Sequence, residues 1–435
     1  MTRRAIVYAI NYAPEIAGAG RCTGELGEFL AGQGVDVTVV TTPPHYPGWT
    51  ITGDYSTFGF TSENLAGVHV IRCPLLLRKP MQGIWRMLAP LSFAVTSAPA
   101  FVWQVLRKRP DTIICVEPTL FVTPLALLMA KLTGARSVLH VQDLEVEAAF
   151  AMGHLEGRGL SKRVGEMFDR FIVRRFKRVV TIGDRMSEKL LRKGVNPRRL
   201  SIVRNWVDLD HIKPMAGPSP YRAELGIPDG TVVGLYSGNI GVKQGLDVLL
   251  EAVARVCGKI DMTFVIAGEG PAKQALMDRF GALPNIRFLP FQPYERLGEF
   301  LALADLHLLP QQADVADLVL PSKLGGMLAS GKPILVTAQE GTELAAFLKD
   351  AAVIVPPGDA IALAAAMERF VTNPEEAGTA ESRLRLARRL SKPEALAQFE
   401  SLLFETELRA EAPATAAPTR VIAPIHSDTS KLVHK

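Results

Sequence analysis

A chain of 435 residues that is 48% hydrophobic and 21% charged exceeds what one hydrophobic core ordinarily supports and has enough apolar residues for two. Its net charge of +5 is uneven, because residues 1–215 carry +10 and the remainder −5. The four cysteines (Cys22, Cys73, Cys115, Cys257) are far apart and form no C-x-x-C pair, which excludes a disulfide framework or zinc ribbon and fits reduced packing residues in the cytosol.

The opening MTRRAIVYAINYAPEIAG joins a basic pair to an apolar run, as secretion signals do. The run is short and breaks at Asn11, Pro14 and Glu15, so it reads as a first core strand over 5–12. In the loop NYAPEIAGAGR (11–21), Gly18 and Gly20 precede a helix predicted over 20–34; such a loop either admits a phosphate or makes a tight turn. Further strands are predicted over 36–42, 67–73, 112–118, 137–143, 178–183 and 201–206.

Two basic stretches lie among them. Residues 75–110 are apolar and flanked by Arg78–Lys79 and Arg107–Lys108–Arg109; a bilayer span over 84–106 is disfavoured because Arg86, Pro90, Pro99 and Gln104 interrupt it. In 158–178, Val164, Met167, Phe168, Phe171, Ile172 and Phe176 share a helical face and cations fill the other. Either both helices simply pack on a sheet, or they present an interfacial surface to anionic lipid.

The strand over 137–143 runs into LHVQDLEVEAAF (139–150). His140 falls within the strand pattern, as a core histidine or a proton acceptor. Asp143 and Glu145 lie where the loop opens and suit contact with an acceptor hydroxyl. The stretch NWVDLDHIKPMAGPSP (205–220) carries three prolines and no periodicity, marking a domain junction. Asp208 and Asp210 spell D-x-D there without neighbouring carboxylates, so no metal site is expected.

The second half repeats the architecture, with strands predicted over 231–238, 262–268, 286–291, 306–311, 333–338 and 352–358. Between the first of them and a helix over 245–258 lies SGNIGVKQG, containing Asn239 and Gly241, with Lys243 held between Gly241 and Gly245. Glycines that let amides approach an anion, a helix N-terminus and a lysine charge together make a diphosphate grip. In IAGEGPAK (266–273), Glu269 sits between two glycines, either hydrogen-bonding a ribose or base edge or serving as a solvated turn acid. In 311–336, Pro321–Ser322–Lys323 precede a small-residue helix ending Gly331–Lys332–Pro333. Ser322 would face an anion, Asp314 and Asp317 would hold sugar hydroxyls, and Lys323 would join the anion site or remain a surface cation.

Strands buried on both faces and alternating with helices predict an α/β chain of two doubly wound, Rossmann-like domains facing across a cleft. The divisions are 1–206 (acceptor- and membrane-facing), 207–390 (donor), a helix over 391–409, and an Ala/Pro/Thr-rich tail, 410–435, expected to be disordered.

The segments INYAPEIAGAGRCTGE, TTPPHYPGW, VEPTLFVTP, SVLHVQDLEVEA, LYSGNIGVKQGL and ADLVLPSKL together resemble the GT-B fold, retaining glycosyltransferases of family 4. Within that family the likeness is to the colanic acid biosynthesis subgroup. The resemblance implies transfer of a sugar from a nucleoside diphosphate donor, GDP- or UDP-linked, to a polyprenyl-diphosphate-linked glycan acceptor in exopolysaccharide biosynthesis. It implies retention, no metal and no further cofactor; the subgroup points to fucose from GDP-fucose. It places Lys243 on the diphosphate, Gly18 and Gly20 near the donor and Glu269 near the nucleoside. The chain would act in the cytoplasm, peripherally on the inner face of the plasma membrane. It departs from the family pattern twice. Gly326 and Leu318 stand where two glutamates eight apart are usual, with Asp317 beside the first position, and Gln142 stands where a histidine is frequent. A GT-B sugar-nucleotide epimerase is the alternative. A nicotinamide dehydrogenase is disfavoured because Gly24 comes one place late for G-x-G-x-x-G, and no nucleic-acid recognition motif is present.

Overall fold

The computed structural model describes residues 2–15, 18–46, 48–51, 53–78, 84–144, 160–241, 244–312 and 320–404. The first sheet contains β1 (Arg4–Tyr8), β2 (Asp36–Thr41), β3 (Thr61–Leu65), β4 (Val68–Arg72), β5 (Thr112–Glu117), β6 (Arg136–Val141), β7 (Arg178–Thr181) and β8 (Leu200–Ile202), in the order β3-β4-β2-β1-β5-β6-β7-β8. All pairs are parallel except the β3–β4 hairpin. The first strand is thus central, with Ile6 and Tyr8 buried on one face and Ala5 and Val7 on the other. Strand β3, TSENL, had no apolar signal to betray it, since it is an edge strand with no buried residue.

Helix α1 (Gly18–Gly32) packs on one face of this sheet through Cys22, Leu26 and Leu30. The other face carries α2 (Ile84–Lys108), α3 (Thr123–Thr133), α4 (Leu160–Val173) and α5 (Asp184–Arg192). The prolines expected to interrupt the 84–106 run sit inside one 25-residue helix. Burial of Ala89, Phe93, Phe101 and Val105 against the sheet holds the helix through both, so tertiary packing outweighs the local cost of proline.

The second sheet comprises β9 (Val232–Ser237), β10 (Met262–Ala267), β11 (Ile286–Leu289), β12 (Leu306–Leu309), β13 (Ile334–Thr337) and β14 (Val353–Val355), all parallel, in the order β11-β10-β9-β12-β13-β14. Its helices are α6 (Pro220–Glu224), α7 (Leu246–Val256), α8 (Lys273–Phe280), α9 (Leu297–Ala302), α10 (Leu324–Ala329), α11 (Glu343–Leu348), α12 (Ala360–Thr372) and α13 (Ala380–Arg388). Helices α7, α8 and α12 share one core, while α10, α11 and α13 belong to another on the opposite face.

The last described helix, α14 (Lys392–Phe404), returns to the first sheet. Its Leu396, Phe399 and Leu403 join the core of Val138 and Val180, and Thr112 donates to the Leu403 carbonyl at 3.0 Å. The outgoing and returning chains meet where Val207 pairs with Ser391. Between the two sheets' units, Glu343 on α11 accepts from Arg204 and from the Arg185 amide (3.0 Å), and Arg185 also reaches the Gly341 carbonyl at 2.7 Å. These contacts fasten the start of α11 to the first turn of α5 and the loop after β8.

Candidate functional site

In an open parallel sheet, ligands bind beyond the carboxyl ends of the strands where strand order reverses. In the second sheet that point lies between β9 and β12. Three loops converge there. The loop leaving β9 is zipped to the loop leaving β10: Gly238 N donates to the Ala267 carbonyl (2.9 Å), Ile240 N to Glu269 (2.8 Å) and Ala272 N to Ile240 (3.1 Å). This approach requires glycine. A Cβ on Gly268, whose φ is +148°, would overlap the Gly238 carbonyl oxygen, and one on Gly270 would strike that of Ile240. The A-G-E-G turn therefore fixes the shape of the β9 loop.

The third strand end supplies Lys323. Its Nζ stands 4.0 Å from the centre of the Tyr236 ring and would lie 3.3 Å from a Cβ at Gly238. The side chain is half-buried as a whole, but its Nζ is shielded from solvent and has no hydrogen-bond partner among the described residues. Burial lowers its pKa from the ordinary 10.5 to about 7. Tyr236 is itself fixed, donating to the Asn239 carbonyl at 2.5 Å. A buried amine without a partner costs free energy that an arriving anion would offset.

The structure thus gathers Asn239, Gly241, Glu269 and Lys323 at one sheet edge, with Ser322 exposed beside Lys323. The exposed Glu269 carboxylate holds Lys273 at 2.7 Å, one turn on. Lys243, Asp317 and Glu145 lie outside the described residues. Gly326 has its missing side chain's place taken by Leu301 (3.0 Å) and Ile212 (3.6 Å), so a glutamate there would displace core atoms. Asp208 serves as a turn acceptor, bonding the amides of Asp210 and His211 at 3.1 Å each.

In the first domain the loops after β1 and β2 are stapled by Glu15. The carboxylate accepts from the His45 and Tyr46 amides (3.0 Å each) and from Asn11 (3.0 Å). Sequence reasoning missed this residue; its only signal was that an acid in an apolar-flanked loop is buried at a cost. Glu15 changes the reading of Gly20, expected to let the loop approach the donor: the space a Cβ would fill there is occupied by the Glu15 carboxylate. Gly18, at φ +62°, abuts the Tyr46 ring.

His140 lies inside the first domain. Its imidazole is buried, edge-on to Phe399 of α14 at 4.7 Å, and hydrogen-bonded to Gln142 at 3.0 Å. Burial pushes its pKa down to about 3. This is the core position, one of the two readings open for His140. Asp143 is exposed at the end of β6, with its Oδ1 accepting from the Leu144 amide at 2.8 Å.

Comparison with known proteins identifies the family. Residues 17–206 match the "Glycosyl transferase 4-like domain" and residues 231–373 match "Glycosyl transferases group 1". The chain is 39% identical over 404 residues to the colanic acid biosynthesis glycosyl transferase WcaI of Escherichia coli (strain K12), covering 91% of this chain and 98% of that one. Among solved structures, sucrose-phosphate synthase from Thermosynechococcus elongatus superposes with a TM-score of 0.69 at 17% identity, over 92% of this chain and 98% of that one. HepE of Anabaena in complex with UDP and glucose gives 0.64 at 16%, over 92% and 99%. With the two sheets, their parallel order and both domain matches, the chain belongs to the GT-B glycosyltransferases whose first domain is family 4-like and whose second is of group 1.

Proposed function

We propose that this glycosyltransferase moves a sugar from a nucleoside diphosphate to a lipid-linked glycan, with retention at the anomeric carbon, in assembly of an exopolysaccharide of the colanic acid kind. The observation that carries the donor half is the shielded Lys323 amine beside the glycine loop after β9, without a hydrogen-bond partner among the described residues. As the bond from anomeric carbon to phosphate breaks, negative charge grows on the diphosphate. Lys323, Lys243, the amides near Gly241 and the Ser322 hydroxyl stabilise that charge more in the transition state than in the ground state. Glu269 lies toward the nucleoside. The acceptor hydroxyl approaches from the leaving-group face, a phosphate oxygen helps take its proton, and Asp143 and Glu145 position it. UDP and UDP-glucose bound to HepE, and the colanic acid role in the WcaI name, support the donor class and the pathway.

The test supplies UDP- and GDP-sugars, GDP-fucose first, with a polyisoprenyl-diphosphate glycan, and identifies the product by mass spectrometry. Glycosylated lipid is expected, and Lys243→Ala should lower turnover by orders of magnitude. Near-normal transfer by that variant would overturn the assignment. Conversion of the donor sugar without acceptor would instead identify an epimerase.

A further inference from the structure

We infer that Glu15 is a positioning residue whose buried carboxylate holds Tyr46 at the strand ends of the first domain, where the Tyr46 ring stacks on a sugar ring of the glycan acceptor. The inference rests on the transfer reaction proposed above. Tyr46 belongs to the loop after β2 and is 41% exposed, although its amide is bonded to Glu15 at 3.0 Å. Its ring lies over Gly18 in the loop after β1. A Cβ added there would come within 3.2 Å of a ring carbon, and the φ of +62° already disfavours a side chain.

The two loops are joined at two buried charges. Glu15 accepts from the amides of His45 and Tyr46, and Asn11 donates to its other oxygen at 3.0 Å. Arg72, 1% exposed, donates to the Ala13 carbonyl at 2.7 Å and to the Thr42 carbonyl at 2.9 Å, and its charge is answered by Glu63 of β3. Burying two such groups costs free energy that ordinary loop packing does not. What they secure is one fixed arrangement of the loops. Among the described residues of these loops, Tyr46 is the aromatic that this arrangement leaves most exposed.

Its place points to the ligand. Both loops leave the carboxyl ends of parallel strands, the edge where such sheets bind ligands. Arg21, one turn into α1 from Gly18, donates to the Trp206 carbonyl at 3.1 Å, so this corner lies at the junction of the domains. The donor diphosphate belongs to the second domain in the proposed reaction, which leaves the glycan to meet this edge of the first. A pyranose presents a face of C–H groups that packs on the negative face of an aromatic ring, and a ring already seated on Gly18 loses little freedom in taking it up.

The experiment measures transfer by the full chain from a nucleotide sugar to a synthetic polyisoprenyl-diphosphate glycan, with donor affinity read separately by calorimetry. Tyr46→Leu keeps bulk over Gly18 without a ring and should raise the acceptor KM about 3- to 10-fold, while Tyr46→Phe stays within about twofold of wild type. Donor affinity and melting temperature of both should match wild type. Glu15→Gln keeps an oxygen for the two amides but turns an NH2 toward Asn11. It should raise the acceptor KM in the same sense and add little to Tyr46→Leu, because both changes act through one ring. The inference is overturned if Tyr46→Leu keeps the wild-type acceptor KM, if Tyr46→Phe behaves like Tyr46→Leu, if donor affinity falls as much as the acceptor KM rises, or if the Glu15 and Tyr46 effects add in full. Wild-type transfer beside an unaltered acceptor KM in Tyr46→Leu would sink this inference and leave the reaction standing. No transfer by wild type from any UDP- or GDP-sugar would sink both.

Discussion

Replacing Lys323 with Met deletes an ammonium and keeps an unbranched apolar stem over Tyr236. In the unliganded protein, burial lowers the amine's pKa from 10.5 to about 7. Each unit corresponds to about 1.4 kcal/mol, so the charged form costs the folded state on the order of a few kcal/mol, less a contribution of about 1 kcal/mol from the ring beneath it. Because the folded pKa is depressed, the folded state binds fewer protons than the unfolded chain. The cost is complete below about pH 7 and vanishes as pH rises toward 10.5. Lys323→Met should therefore melt at a higher temperature than wild type near neutral pH, and the gap should close in alkali. Its affinity for a nucleotide sugar should fall by about 10- to 100-fold, from loss of a charge-assisted bond of about 1.5–3 kcal/mol. Calorimetry in buffers of different ionisation enthalpy reads the linked proton. Wild type should take up a proton on binding near pH 8 and lose about 30-fold in affinity between about pH 6 and 8.5, while the variant does neither. A variant that binds donor as tightly as wild type, or is less stable near neutral pH, would refute the reasoning.

Gly268→Ala would force a Cβ into the Gly238 carbonyl at a φ of +148°, and should cost at least about 2 kcal/mol and abolish donor binding, read by thermal melting with and without nucleotide sugar. His140→Phe should keep turnover within a few-fold of wild type, since the imidazole is buried against Phe399; loss of transfer with the fold intact would restore a catalytic role. Glu343→Ala removes an acceptor of the Arg185 amide and one of the two carboxylates that the Arg204 guanidinium holds, Asp184 remaining, and should lower stability by about 1–3 kcal/mol in denaturant melts.

The glycine-rich strand ends were legible because a positive φ or a close backbone approach leaves a direct mark on composition. Gly268 and Gly270 are explained by the β9 loop pressed against them. The strands showed because both faces are buried, as in β5, where all six residues are inside. The same burial hid the orientation of His140: with both faces apolar, alternation cannot say which side a residue takes, and its neighbour Phe399 comes from 259 positions further along. Glu15 was similarly hidden, since its partners His45 and Tyr46 belong to a different strand end. The basic helices showed in their charges, but which apolar residues face outward depends on how each helix is rolled against the sheet.

Thermal shift of the wild-type protein against UDP- and GDP-sugars tests the central claim most directly, that the loops after β9, β10 and β12 hold a nucleoside diphosphate sugar. One base class should raise the melting temperature, with the stabilisation growing as the logarithm of ligand excess and reaching about 2.7 kcal/mol at a hundredfold excess over Kd. No shift from any nucleotide sugar of either base at saturating concentration would contradict the account.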